Sequence, residues 1–160
     1  MMKYTTTNEF NQFEFEEAHI SDIQIVEGRF YMLLDNVKIL PDNSCNRDIR
    51  KMRTNELFFK VTNGTMTSLI EEGYKLYDAN GKLTREIEDR EVVASEYKEI
   101  TDEFIDGMVY EVEKTILEDK NQVQYRFVID AANERTYTMI VLGDGDLEEW
   151  DRFLNLDSAL

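Results

Sequence analysis

The sequence of 160 residues is poor in cysteine, proline and histidine, each of which occurs once. A single cysteine excludes an internal disulfide, and one cysteine with one histidine excludes the usual ligand set of a structural zinc site. Scarce proline suits a chain of paired strands, because a strand ladder needs the amide donor that proline lacks. These deficits favour a sheet-rich domain that depends on its hydrophobic core rather than on disulfides or zinc.

Basic residues are scarce as well. The chain has 18 lysine and arginine residues against 34 aspartate and glutamate residues, which gives a net charge of −16. A surface of that charge repels the phosphate backbone of nucleic acids and does not attract an anionic bilayer. We therefore expect no nucleic acid and no membrane among the partners of this protein.

Long apolar runs are also missing. The longest, such as residues 139–142, fall far below the roughly 20 residues that a spanning helix needs. Residues 1–10 contain no apolar stretch that could form the core of a signal peptide. We expect a cytoplasmic protein.

Hydrophobic residues make up 42% of the chain and aromatic residues 11%, which is enough for a packed core in a chain of this length. Internal repeats, low-complexity tracts and linker-like segments are missing from the sequence. Residues 1–160 are therefore predicted to form a single domain.

The strongest local pattern is alternation of apolar and polar residues. Apolar side chains occupy every second position in three segments, which are Met108, Tyr110 and Val112; Val123, Tyr125, Phe127 and Ile129; and Tyr137, Met139 and Val141. A period of two is typical of strands with one buried face. Residues 108–142 are predicted to form a three-stranded antiparallel meander.

Turn residues predict further strands upstream. Asn63-Gly64 is the pair best suited to a two-residue hairpin turn between residues 57–62 and 65–70. Gly28 and the segment 78–81 separate two more strand pairs, and Phe13 and Phe15 indicate an opening strand. The fold class predicted is mainly β, an antiparallel barrel or a two-layer sandwich of about nine or ten strands.

The C-terminus changes its period. Asp146 stands where a helix N-cap is expected, with Glu149 three residues later. Leu147, Trp150 and Phe153 then fall on one helical face. These features predict one short helix over residues 146–156, which covers an open part of the sheet or docks onto a partner.

Negative charge is concentrated in residues 86–113, where eleven acidic residues stand against two basic ones, a net charge of −9. Such a run is either a solvated face or a patch that attracts a cationic partner. If the run forms a contact surface, the candidate residues are Glu99, Asp102 and Glu103. A basic protein is the partner expected.

The segment 41–55 has no strand pattern and is longer than the connections usual between elements. Arg47, Arg50 and Arg53 recur in it at every third position. Any helical turn there aligns three guanidinium groups that can grip a carboxylate or a phosphate. The alternative is that these arginines neutralise acidic residues of the same molecule.

Catalytic signals are weak. Cys45 next to Arg47 and the lone His19 are the candidates for a nucleophile and its base, although no spacing brings them together. Phosphate-binding loops, dinucleotide fingerprints and metal-ligand spacings are missing from the sequence, so we expect no cofactor and no metal.

These observations favour a non-enzymatic protein-binding module, whose charge resembles that of inhibitor or immunity proteins that neutralise a basic partner. The alternative is a β-barrel that binds a small ligand, or a hydrolase that uses Cys45 and His19 or paired carboxylates. Self-association through an exposed sheet edge is a third option.

Overall fold

The fold was analysed in a computed structural model that describes residues 2–157. The alternating segments form strands, since each buries one face and leaves the other toward solvent. The strands are β1 Tyr4–Thr7, β2 Phe13–Glu14, β3 His19–Gln24, β4 Tyr31–Asp35, β5 Val37–Ile39, β6 Met52–Thr54, β7 Leu57–Thr62, β8 Thr65–Glu71, β9 Tyr74–Tyr77, β10 Leu83–Ile87, β11 Arg90–Glu91, β12 Met108–Leu117, β13 Gln122–Asp130, β14 Thr136–Gly143 and β15 Gly145–Trp150.

Ten strands form one antiparallel sheet in the order β1-β15-β7-β4-β3-β12-β13-β14-β8-β11. The predicted meander is confirmed as β12-β13-β14, and so are the hairpins β3-β4 and β9-β10. The hairpin β9-β10 forms a separate two-stranded sheet, and β2, β5 and β6 form a three-stranded one. The prediction of a mainly antiparallel β protein is therefore confirmed.

The hairpin predicted at Asn63-Gly64 is wrong, because β7 pairs with β4 and β15 whereas β8 pairs with β14 and β11. A type I′ turn needs a positive φ at both central residues. Asn63 has one, at 52°, and Gly64 does not. Gly64 serves close packing instead, since a Cβ there lies 2.7 Å from the Cβ of Val61. The turn sends the chain to a different part of the sheet.

The helix predicted over residues 146–156 is also wrong. Residues Gly145–Trp150 form β15, which lies between β1 and β7 and bonds to both. The core residues Asp146, Glu148 and Trp150 alternate with half-buried ones. Pairing with both β1 and β7 stabilises the extended backbone of this segment more than an N-cap at Asp146 would stabilise a helix. Within residues 2–157 the one α-helix is α1, Tyr97–Asp102, in the acidic run.

The large sheet curls until its inner faces meet. Phe59 of β7 lies 5.9 Å from Tyr125 and 6.0 Å from Phe127 of β13, measured between ring centroids, although three strands separate β7 from β13 in the sheet order. The strands β1 and β11 each pair on one side only within the described chain. Phe10, just before β2, packs on Tyr125, and Phe13 of β2 packs on Trp150, so that the small sheet contributes to the core.

A β-bulge changes the inward face of β12. Val109 pairs with Ile129 and Glu111 with Val128, so that Tyr110 has no partner on β13. The extra residue moves the inward positions from Val109 to Val112 and Lys114, which are half-buried. Tyr110, predicted to be buried, is 61% exposed for this reason.

No helix among the described residues has the length and apolar character needed to span a bilayer.

Candidate functional site

A groove of about 480 Å³ lies on the outer face of the sheet. Strands β8, β12, β13 and β14 form its floor, and the segment after β10 forms one wall. Its lining residues are Ile70, Glu72, Asp89, Tyr110, Glu111, Arg126, Val128, Asp130, Thr136 and Thr138. We refer to this groove as the acidic groove.

The groove carries four carboxylates and one guanidinium group. Arg126 is already engaged, since its Nη2 lies 3.1 Å from Glu113 Oε2 and 3.5 Å from Glu111 Oε1. Asp130 accepts a hydrogen bond from Thr136 Oγ1 at 3.0 Å, and Asp89 accepts one from the backbone amide of Gly73 at 2.6 Å. These bonds orient the carboxylates without neutralising them, so the groove keeps a negative potential.

The hairpin β9-β10 stands at one end of the groove. Two further hollows of about 410 and 640 Å³ flank its base, and they share Glu72, Thr136 and Asp89 with the acidic groove. The hairpin also exposes apolar side chains, which are Leu76, Tyr77 and Leu83. The groove and the hairpin together form a continuous surface with negative charge in its floor and apolar groups at its end.

The acidic residues predicted from the sequence lie on a neighbouring element. Glu99 and Asp102 are exposed on α1, Glu103 is exposed directly after it, and Asp102 is paired with Lys98. The groove takes Asp89 and Glu111 from the predicted acidic run, whereas Glu72 and Asp130 come from outside it. Glu72 and Asp130 were missed because only sheet pairing brings them next to that run.

The predicted row of three arginines does not form, because residues 41–51 have no helical turn. Arg50 pairs with Asp48 at 3.3 Å, as the neutralising alternative expected. Arg53 is 1% exposed in β6, where its backbone bonds to Leu154. Arg47 is exposed beside a groove that also contains Cys45.

Cys45 and His19 lie at two different grooves. The Cys45 thiol contacts the carbonyl oxygen of Thr5 at 3.7 Å. His19 stands between two carboxylates, with Nδ1 3.3 Å from Asp35 and Nε2 3.2 Å from Asp106. Among these contacts Cys45 and His19 do not meet. The structure therefore does not bring the candidate nucleophile and the candidate base together.

A second constellation is buried inside the sheet. Asp146 Oδ1 accepts hydrogen bonds from Lys114 Nζ at 2.9 Å and from Tyr125 Oη at 2.6 Å. Glu148 Oε1 accepts one from Thr6 Oγ1 at 2.9 Å. Both carboxyl groups are fully buried, and Asp146 Oδ2 and Glu148 Oε2 have no donor among the described residues. One proton held between these two oxygens satisfies both of them.

The protonation states of the two buried acids differ. Burial, a hydrogen bond to Asp146 and the charge of Asp146 raise the pKa of Glu148 to about 10. Burial opposes ionisation of Asp146 as well, but hydrogen bonds from Glu148, Tyr125 and Lys114 outweigh it and lower the pKa of that carboxyl. At neutral pH the pair therefore consists of a carboxylic acid at Glu148 and a carboxylate at Asp146.

Sequence reasoning assigned Asp146 to a helix cap and overlooked Glu148. The available signal was the period of two in Asp146, Glu148 and Trp150, which a strand interpretation of this segment would have used. Acidic residues at inward positions concealed that signal, since inward strand positions are normally apolar.

Comparisons with protein family models, with curated proteins and with solved structures gave no match.

Proposed function

We propose that this protein is a non-enzymatic binding module that holds a cationic segment of another protein in the acidic groove. One observation carries the proposal: four carboxylates converge on a groove whose single guanidinium group is already bound by glutamates. A lysine or arginine side chain entering the groove meets Glu72, Asp89 and Asp130, none of which forms an ion pair within the described chain, whereas Glu111 already contacts Arg126. The exposed ring of Tyr110 offers it a cation–π contact in addition.

The filled interior argues against the small-ligand alternative. An open interior cavity lined by tyrosines such as Tyr74, Tyr110, Tyr125 and Tyr137 would favour that alternative. Tyr125 and Tyr137 are packed in the core, whereas Tyr110 faces the outer groove and Tyr74 lies under Arg135. The strands β1 and β11, which do not pair with each other in the described chain, favour a two-layer sandwich over a closed barrel. Self-association and a cytoplasmic location stay predictions.

A peptide-binding experiment tests the proposal. The probe is a fluorescent peptide in which lysine alternates with threonine, and anisotropy measures its affinity in a series of salt concentrations. The groove variant is Glu72→Lys with Glu111→Lys. The matched control is Glu99→Lys with Glu103→Lys, which makes the same change of net charge outside the groove.

We expect the groove variant to lose at least about tenfold in affinity relative to the control, since about 1.4 kcal/mol of lost attraction produces that factor. Affinity of the unaltered protein should fall as salt increases, because the contact is electrostatic. Equal losses in the two variants would mean that the peptide responds to net charge alone, and the groove would then not be the binding site.

A further inference from the structure

Three reactive groups meet in the dry interior between β12 and β15. The amine of Lys114 lies 2.9 Å from Asp146 Oδ1, and Glu148 is fully buried two positions from Asp146 on the same face of β15. We propose that Lys114 and Asp146 form an intramolecular amide cross-link, with Glu148 as the acid that relays protons during its formation. The reaction is a condensation that releases one water molecule and needs no oxidant or cofactor.

The placement of Lys114 is a consequence of the bulge at Tyr110. With a regular β12, Lys114 would have faced solvent, because Val109 faces the core and the positions would have alternated from there. The bulge reverses the alternation, and Lys114 pairs with Tyr125, whose ring is fully buried. The lysine side chain is consequently 14% exposed and its amine is aimed at Asp146.

The interior also favours condensation over hydrolysis. Asp146 and Glu148 are fully buried, and Phe10 packs on the ring of Tyr125, whose hydroxyl contacts Asp146. Because the carboxyl carbon of Asp146 lies on the fully buried side of the pair, an amide formed there is shielded from the solvent that would reverse the reaction. Holding the amine against the carboxyl group also removes the entropy cost of bringing them together, which is worth an effective concentration of roughly 10⁵ M or more.

Glu148 supplies the acid that an unactivated carboxylate lacks. Thr6 donates to its Oε1, which leaves Oε2 as the oxygen that carries the proton toward Asp146 Oδ2. The raised pKa of Glu148 keeps that proton in place at neutral pH. Tyr125 donates to Oδ1 of Asp146, the oxygen that leaves as water.

The condensation moves protons only among Lys114, Asp146 and Glu148. The Lys114 ammonium passes one proton to Asp146 Oδ1, and the resulting amine attacks Cγ while Oδ2 takes the proton of Glu148. The Glu148 carboxylate then removes a proton from the nitrogen and delivers it to Oδ1. The bond between Cγ and Oδ1 breaks, water departs, and Oδ2 returns its proton to Glu148. An amide and one water molecule remain, and Glu148 is regenerated.

The bond would join strands that are not neighbours. β12 and β15 are separated by β3, β4 and β7 in the sheet order, so the cross-link crosses the interior from one layer of the curled sheet to the other. It would close a loop between two residues that are 32 positions apart. Forced separation of the two layers would then require a covalent bond to break.

Intact mass spectrometry of the denatured protein is the test. We expect the purified chain to have a mass lower by one water molecule than its sequence requires. Proteolysis should yield one branched peptide that contains both Lys114 and Asp146. Lys114→Arg and Glu148→Gln should restore the full mass. The matched control Glu149→Gln, on the opposite face of β15, should keep the water loss and the branched peptide.

Two further variants keep the result unambiguous. Asp146→Asn should form the same amide with loss of ammonia instead of water, which shows that the side chain at position 146 is the electrophile. Asp144 precedes Gly145, and cyclisation at that pair also releases water without producing a branched peptide, so Asp144→Glu should leave the cross-link intact. The proposal would be overturned if the unaltered protein had the full mass that its sequence requires. It would also be overturned if the loss of water disappeared in Asp144→Glu.

Discussion

Truncation of Phe59 tests whether the sheet curls onto itself. Phe59 is 1% exposed and its ring contacts those of Phe10, Phe15, Tyr125 and Phe127. Removal of a fully buried phenylalanine side chain costs about 3 to 5 kcal/mol, because both the transfer energy and the packing of its neighbours are lost. For a chain of this size that corresponds to a fall in melting temperature of roughly 6 to 20 °C.

The neighbouring residue on the same strand provides the control. Phe58 faces the other side of β7, is half-buried and contacts only Tyr31 among aromatic rings of the described chain. Phe58→Ala loses one aromatic pair and part of its buried area, which is about 1 kcal/mol. Each variant removes one side chain from the same strand and leaves the rest of the sequence unchanged. The difference between their unfolding midpoints in urea or on heating therefore compares the two faces of β7.

The expected result is a destabilisation in Phe59→Ala at least about twice that in Phe58→Ala, since one face is in the core and the other is not. Thermal unfolding followed by circular dichroism measures both variants under the same conditions. Equal effects, or a larger effect of Phe58→Ala, would refute the inward direction of Phe59 and with it the face-to-face packing of β7 on β13.

Three further outcomes are expected. Stability should fall as the pH rises from the ordinary range of a glutamate toward about 10, because the pKa of Glu148 is raised in the folded state and unfolding releases its proton; urea midpoints should show this slope in Lys114→Arg, which keeps the Asp146 carboxylate, and a flatter one when Glu148→Gln is added to Lys114→Arg. Gly107→Ala should destabilise by about 1 to 3 kcal/mol in the same unfolding assay, since the new Cβ would lie 2.6 and 2.9 Å from two backbone oxygens, and an unchanged midpoint would contradict that close approach. His19→Gln should cost less than about 1 kcal/mol despite its contacts with Asp35 and Asp106, because exposed ion pairs contribute little; a larger loss would show that this histidine ties β3 to its neighbours more tightly than its exposure indicates.

The local alternation of apolar and polar residues was enough to locate most strands. The apolar positions of residues 123–141 alternate within each segment, and this property needs no knowledge of the rest of the chain. Turn residues such as Gly28, with a φ of 78°, likewise mark where the chain reverses. The meander and two hairpins were predictable for that reason.

Pairing partners were not predictable in the same way. β15 is a strand because β1 and β7 offer it two edges, and these lie far from it in the sequence. The capping signal at Asp146 and Glu149 is genuine locally, but it contributes less than two complete strand ladders. The prediction of a hairpin at Asn63-Gly64 was wrong for a related reason. The residues of a turn do not reveal whether the two strands that it connects pair with each other.

The acidic groove was predictable only in part. A surplus of negative charge in residues 86–113 was visible in the composition, and two of its residues line the groove. The other two acidic residues arrive through pairing of β8 and β13 with their neighbours. The bulge at Tyr110 was concealed because Met108, Tyr110 and Val112 fit the alternation of a regular strand.

By itself, the sequence of this protein determined its acidity and the period of two that makes it a sheet protein, because these are properties of residues and of their near neighbours. Tertiary structure alone decided which strands meet, which face of β12 turns inward and which groups surround Glu148. Thr6, whose hydroxyl bonds that glutamate, is 142 positions away from it. The protonation of a buried carboxyl group depends on such distant neighbours, since burial and hydrogen bonds from the whole fold set its pKa.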